Sequence, residues 1–360
     1  MNKIVSIVVL IIFALNVNSQ DTNLVKRFKL NFAVPDIPAF KMLGTSPSEI
    51  LKPSTPESIS LIAAQFINGT NLVLPKSISV EIAPFLLFNK GLTLQQYDNN
   101  SQLYSLRLSV GTLLDSNDNT TKLSIGTRIS IIDKGDLKND RLFRDELYNL
   151  TSKIVSEKDK YQDEFLKQNH LTIQLAISDS STHKRMEDYV KSRIQSSYDD
   201  SLESIKSHYK SINWNKQKLD VAMAVLGQSS DSLVKRLQFK SLSFWVSYSH
   251  PISSWGQLIL GGNFSHFKDS SNYQEYSVGT RFYGGINRIK AFVEGQFSYS
   301  GQTKSSNALL NFGSELGVFD GIWVDLTAGI EWNNLNDDHT DAKFVSSFNM
   351  KFSLPENFHF

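Results

Sequence analysis

The 360-residue chain contains no cysteine. That excludes a disulfide framework, cysteine-ligated zinc or iron–sulfur centres, thiol catalysis and a lipid-modified N-terminal cysteine. It also lacks excess charge: 37 Lys and Arg face 36 Asp and Glu, for a formal net charge of +1. Such a chain has no overall field to gather nucleic acid or anionic lipid. Charged residues reach 20%, below the roughly 25% of soluble domains, and hydrophobic residues reach 40%. The latter is too many for a disordered chain and too few for a bundle of membrane helices.

Motifs that carry chemistry are missing as well. Seven histidines (His170, His183, His208, His250, His266, His339 and His359) are scattered without an HExxH pair. There is no GxSxG elbow, P-loop or GxGxxG. Ser265 and His266 adjoin beside Asn263, but strand neighbours point to opposite faces, so they cannot meet as nucleophile and base without a bulge. Asp115, Asn117 and Asn119 alternate as in a calcium loop, yet the glycine and glutamate such a loop needs are absent. Asp337, Asp338, His339 and Asp341 read as a solvated acidic loop. The expectation is a protein that is not an enzyme, with no catalytic residue, cofactor or metal.

Only one long apolar run is present. Lys3 precedes an almost wholly apolar stretch from Ile4 to Leu15, and Asn16 to Ser19 follow it. A cationic start, about a dozen apolar residues and a small residue before Gln20 predict a cleaved signal over 1–19. The run is short for ~30 Å of hydrocarbon, and no later stretch approaches a spanning helix.

What the chain does have is a period of two. From about residue 238, seven successive segments alternate. Leu242, Phe244, Val246 and Tyr248 oppose Ser243, Trp245 and Ser247, and Tyr276, Val278 and Phe282 oppose Ser277, Gly279 and Arg281. Val293 and Phe297 oppose Lys290, Glu294 and Gln296; Leu310, Phe312 and Leu316 oppose Asn311 and Glu315. Leu326, Ile330 and Trp332 oppose Asp325 and Glu331. Three earlier segments, around 78–86, 104–110 and 123–131, repeat the pattern, with Glu81, Arg107 and Arg128 on the polar side. Strands of about 10–13 residues exceed the usual five or six and match what a tilted membrane barrel requires. Aromatics crowd the strand ends: Phe88, Tyr104, Tyr276, Tyr299, Trp332 and Phe344 at one rim, and Tyr248, Trp255, Tyr283 and Phe352 at the other. Two such rings are expected at the membrane interfaces. A secreted β-sandwich gives the same alternation with its apolar face buried.

Residues 134–216 interrupt the strands with a helical insertion, periodic over about 137–168 and 183–212. Between them Leu171, Ile173, Leu175 and Ile177 alternate with Thr172, Gln174 and Ala176, which predicts a strand. The total becomes twelve, an even number as in bacterial barrels. Parity then places links 114–120, 250–255, 284–287 and 319–321 in the periplasm, and 89–101, 134–168, 269–272, 301–305 and 334–341 outside. Residues 20–75 do not read as barrel: a capping box at 46–49 and Thr55-Pro56-Glu57 open short helices. This leader is predicted to plug the interior or pack at its mouth. The barrel spans 76–354, and 355–360 form a tail.

The segment PAFKMLGTSPSEILKP from Pro38 to Pro53 and LPKSISVEIAPF from Leu74 to Phe85 resemble uncharacterised outer-membrane proteins of Bacteroidota. The resemblance implies an outer-membrane β-barrel and carries no activity with it.

The sequence as a whole therefore predicts an all-β fold: a transmembrane, antiparallel, up-and-down β-barrel of about twelve strands with a helical insertion and a helical leader, in the bacterial outer membrane. Expected lumen-lining residues are Glu81, Arg107, Arg128, Arg281, Lys290, Glu294, Glu315, Asp325 and Glu331. Such mixed charges either select a solute or pair to fill a narrow barrel. The predicted function is a narrow porin-like channel or a structural, partner-binding platform. Its partners would be outer-membrane lipid and another envelope protein met through 134–168 or the leader. The alternatives are a barrel-embedded hydrolase acting on lipid or glycan and a secreted β-sandwich adhesin.

Overall fold

The computed structural model describes residues 33–35, 37–44, 56–87, 94–115, 119–268, 272–286, 288–319, 322–335 and 341–352. The expected signal, the capping box at 46–49, Phe88 and the C-terminal tail lie outside them. After helices α1 (Pro38–Leu43) and α2 (Pro56–Ala64), a small hairpin pairs β1 (Ile67–Asn68) with β2 (Asn71–Leu72). The rest of the β structure is one eleven-stranded antiparallel sheet in chain order. Its strands are β3 (Ser77–Ile82), β4 (Arg107–Asp115), β5 (Thr120–Asp133), β6 (Lys218–Ser229), β7 (Gln238–Ile252) and β8 (Gly256–Lys268). β9 (Asn272–Ile286), β10 (Ile289–Ser300), β11 (Ser305–Phe319), β12 (Ile322–Asn333) and β13 (Asp341–Phe352) complete it.

Each strand pairs with its sequence neighbour, so the sheet is an up-and-down meander whose first and last strands run the same way. Among the described residues β3 and β13 do not pair with each other, and the sheet is open. The eleven strands correct the expected twelve. Residues predicted as a strand at 171–177 form instead the helix α7 (Ile173–Ser178), because the Thr172 hydroxyl caps it, accepting from Leu175 N–H at 3.4 Å. Ala176, fully buried, packs on Phe165, Leu166 and Met186. Period-two alternation over so few residues also fits one short helix with Ala176 on its buried side.

The strand count regroups the links. At one end, called here the helical end, lie 83–106 and 134–217 together with the tight links β7–β8, β9–β10 and β11–β12. At the opposite end lie β4–β5, β6–β7, β8–β9, β10–β11 and β12–β13. Link 114–120 therefore sits with 301–305, and the helical insertion with 250–255, contrary to the expected partition. Two strand bounds also shift. Pro84 cannot continue the ladder and instead opens helix α3 (Pro84–Leu87). Residues 94–105 form α4 (Leu94–Asn99) and α5 (Ser101–Ser105), so Tyr104 is buried at the helical end and not at the rim of Tyr276 and Tyr299.

The insertion is a helical hairpin of α6 (Arg141–Gln168) and α8 (Ser180–Ile212). Asp140 caps α6 through Leu142 and Phe143 N–H, and Asp179 caps α8 through Ser181 and Thr182 N–H. Two apolar clusters hold the pair: Leu137, Phe143 and Tyr209 with Leu147 and Ile205 at the base, and Phe165, Leu166 and Met186 with Leu171 and Tyr189 at the tip. At 1.5 Å per residue, α6 is a rod of about 42 Å. Among the described residues no helix is long and apolar enough to cross a membrane.

Candidate functional site on the buried face

Strand alternation gives the sheet two unlike faces. One is buried and largely polar: Ser109, Ser124, Ser243, Ser277, Arg281, Glu294, Asn311 and Glu331 are all at most 7% exposed. The other is apolar and open. Ile125, Met223, Phe244, Leu260, Val278, Val293, Phe312 and Phe344 are exposed, from 42% at Val293 to 75% at Phe344. A soluble sandwich has the reverse arrangement, with apolar side chains inside.

Cross-strand register places all nine expected interior residues on the buried face. Arg281 pairs with Glu294 and Glu294 with Asn311; Lys290 pairs with Glu315 and Glu315 with Asp325. Glu331 lies across from Leu309 and Lys343, Arg107 across from Arg128, and Glu81 across from Ser109. Four of the nine come together. Arg281 Nε donates to Glu294 Oε2 at 2.6 Å and its Nη2 lies 2.5 Å from the same oxygen. Its Nη1 donates to the Tyr283 hydroxyl at 2.6 Å and to Glu315 Oε1 at 3.3 Å. Tyr283 donates to that Glu315 oxygen at 2.6 Å, and Asn311 Nδ2 to Glu294 Oε1 at 3.2 Å. Below the guanidinium lies the Phe292 ring, 4.0 Å from its centroid, and Lys290 Nζ sits 4.9 Å over the Trp214 ring. Arg281 and Glu294, 3% and 0% exposed, thus meet charge to charge where water is nearly excluded, as buried ions require.

Of the other nominated residues, Asp325 lies directly across from Glu315 on β12, and Arg107 lies at the helical end of β4. Arg107 Nη1 donates to the Tyr104 and Leu106 carbonyls at 2.8 and 3.0 Å, tying β4 to the helices at its end. Sequence reasoning missed Tyr283, Asn311, Trp214 and Phe292 as members. Tyr283 was read as a rim aromatic, yet it is 5% exposed. Its position two residues after Arg281 on the same face was the available signal.

A second construction occupies the buried face of β4–β6. Helix α1 lies on it. Ala39, Phe40 and Leu43 are buried, with Leu113 and Leu226 packed around them, while Val34 and Met42 pack on Ala222, Ala224 and Trp245. The wall beneath is cut down to fit. A Cβ on Gly111 would come within 2.7 Å of Leu43 and Phe40, and one on Gly126 within 2.7 Å of the Ala39 backbone nitrogen. Ala39 N–H donates to Ser109 Oγ at 3.3 Å. Gly44 ends the helix in the left-handed conformation, φ 69°.

At the helical end, α4 packs against the base of the hairpin. Tyr97 donates to Asp136, stacks on Tyr104 at 5.5 Å, and Arg144 Nη1 donates to Asp98 at 2.6 Å. Burial, reinforced by the Asp136 carboxylate, pushes the Tyr97 phenol well above its ordinary range. Asn215 Nδ2 donates to the Ser253 and Gly256 carbonyls at 2.8 and 2.7 Å, anchoring the hairpin to the β7–β8 turn. Among the described residues no group of three His, Asp or Glu is placed to hold a metal ion. No family model, curated protein or solved structure matches the chain.

Proposed function

We propose that the sheet closes into a transmembrane β-barrel of the bacterial outer membrane, and that the protein is not an enzyme but a membrane-held platform for its helical hairpin. The observation that carries this is the inverted pair of faces: an exposed apolar face running across the strands and a buried face of serines, asparagines and paired charges. Water solvates the former poorly, whereas hydrocarbon solvates it well. Strands of 12 to 15 residues from β6 to β13 have the reach to span the bilayer. The stacked Tyr276–Tyr299 pair, 5.0 Å apart, and exposed Trp255 at the helical end fit two interfacial belts. The resemblance of the leader and first strand to Bacteroidota outer-membrane proteins agrees.

Platform is preferred over channel because the interior is filled. Helix α1 occupies the side of β4–β6, and the Arg281 cluster the side of β9–β11. The test is fractionation followed by planar-bilayer recording of the full-length, detergent-refolded protein. The expected result is a heat-modifiable band that stays with membranes through alkaline carbonate and conducts no steady current. Release into the wash would overturn the membrane reading in favour of a secreted sandwich, and stable conductance would replace platform with channel.

A further inference from the structure

The polarity of α1 supplies a topology that the strands alone do not. Pro38 and Ala39 sit over Gly126, while Phe40 and Leu43 sit over Gly111. Gly111 pairs with Ser124, two residues from Gly126 on β5 and farther from the helical end. Helix α1 therefore advances along the buried face in the direction from the helical end toward the opposite end. By Leu74 the chain stands at that opposite end: Leu74 N–H donates to the Ser232 carbonyl at 2.7 Å in the β6–β7 link, and β3 starts beside it.

We infer that the leader makes a twelfth crossing, inside the barrel and not in its wall, since α1 lies on the buried face pointing away from the helical end and Leu74 stands at the opposite end, and that the helical end faces the periplasm. This rests on the membrane-barrel reading above. The crossings then become even in number, so the chain ahead of α1 and the chain after β13 share the helical end. An exported chain whose leader has entered from the periplasm places that end on the periplasmic side. The helical end carries three tight turns, β7–β8, β9–β10 and β11–β12, together with the two longest links, 83–106 and 134–217, so the assignment of sides rests on the path of the leader and not on link length. The hairpin of α6 and α8 is then a periplasmic arm of about 42 Å, its exposed Ile173, Leu175 and Ile177 at the far tip. It is presented to components of the periplasm and not to the cell exterior.

The absence of cysteine makes the test clean, because any introduced thiol is the only one. Leu175→Cys at the hairpin tip and Thr303→Cys in the β10–β11 link are labelled with a membrane-impermeant maleimide in intact and outer-membrane-permeabilised cells. The expected result is Thr303→Cys labelled in intact cells and Leu175→Cys labelled only after permeabilisation. The reverse pattern would overturn the sidedness while leaving the barrel standing. Recovery of both variants in the soluble fraction would overturn the barrel reading itself. Threading is tested by oxidising Ala39→Cys with Ser109→Cys, where Ala39 N–H meets Ser109 Oγ at 3.3 Å, in the full-length, membrane-inserted chain. The reference pair is Ser243→Cys with Ser265→Cys, whose native hydroxyl oxygens are 2.6 Å apart on the same face. A cross-link in both pairs supports the internal crossing; a cross-link in the reference pair alone overturns it.

Discussion

The two sides of the buried face are filled in opposite ways. Under β4–β6 the wall is Ser109, Gly111, Ser124, Gly126, Ala222 and Ala224, all too small to reach across a cavity, and a helix from elsewhere in the chain occupies the space. Under β9–β11 the wall is Arg281, Tyr283, Phe292, Glu294, Asn311 and Glu315, and their own side chains fill it. Interiors pack to nearly constant density, so wall residue size and inserted mass must be complementary. The consequence is a difference in what holds each side. Shape and apolar contact seat the helix, helped by the hydrogen bond from Ala39 N–H to Ser109, whereas the charged side is held by a closed network in which each member depends on the others.

Breaking the charged side should cost most. Arg281→Ala leaves Glu294, fully buried, without its cation, and should destabilise the folded protein by about 3–5 kcal/mol in denaturant titration. Replacing the pair together, Arg281→Met with Glu294→Leu, should lose far less. Equal losses from the single and double variants would show that the network is not held by pairing. On the helix side, Gly126→Val meets the backbone of Ala39 and should cost about 1–3 kcal/mol. Gly295→Val, where an added Cβ meets nothing within 4 Å, should stay within about 0.5 kcal/mol. Matching effects at the two glycines would refute the seating of α1. Ser109→Ala removes the acceptor for Ala39 N–H and should cost ~1 kcal/mol.

The smallest effect lies outside both sides, at the hairpin tip. Hydrogen bonds from the Thr182 and Ser181 hydroxyls, followed by the Thr182 N–H, hold the Asp179 carboxyl down to about 2. Its ordinary value, near 3.9, applies when the cap is unmade. The cap's contribution is therefore complete above about pH 4 and disappears as pH falls toward 2. Helicity of the full-length protein, followed by circular dichroism, should fall over that interval. In Asp179→Asn, which keeps an acceptor without a titrating proton, the fall should be absent.

Much of the sheet was legible in the sequence. Polar and apolar positions from Ser241 to Glu331 fall on the faces that alternation assigns, because a period of two survives any register. Which charges meet was not legible. Arg281 reaches Glu294 and Glu315 only through the stagger of β9, β10 and β11, which no single strand encodes. Helix α1 left a signal that went unread: Pro38 at its first position and Gly44 just past its end. Four alternating residues at 171–177 imitated a strand, although Thr172 ahead of them was already a cap. The helices at 84–105 were hidden for a similar reason, since Tyr104 and Leu106 continue the alternation of β4 backward past its true start at Arg107.

The seating of α1 also sets an order of events. In the barrel proposed above, a helix resting on three adjacent strands, with its backbone against Gly126, has to be in place before the wall closes around it. In that barrel, α1 docks on β4–β6 before the first strand meets the last. That docking is itself long-range, with Ala39 and Ser109 standing 70 residues apart in sequence, whereas β7 to β13 are hairpins between sequence neighbours, which form quickly. In the proposed barrel, the seating of the leader, and not the pairing of neighbouring strands, sets the pace at which the interior is sealed.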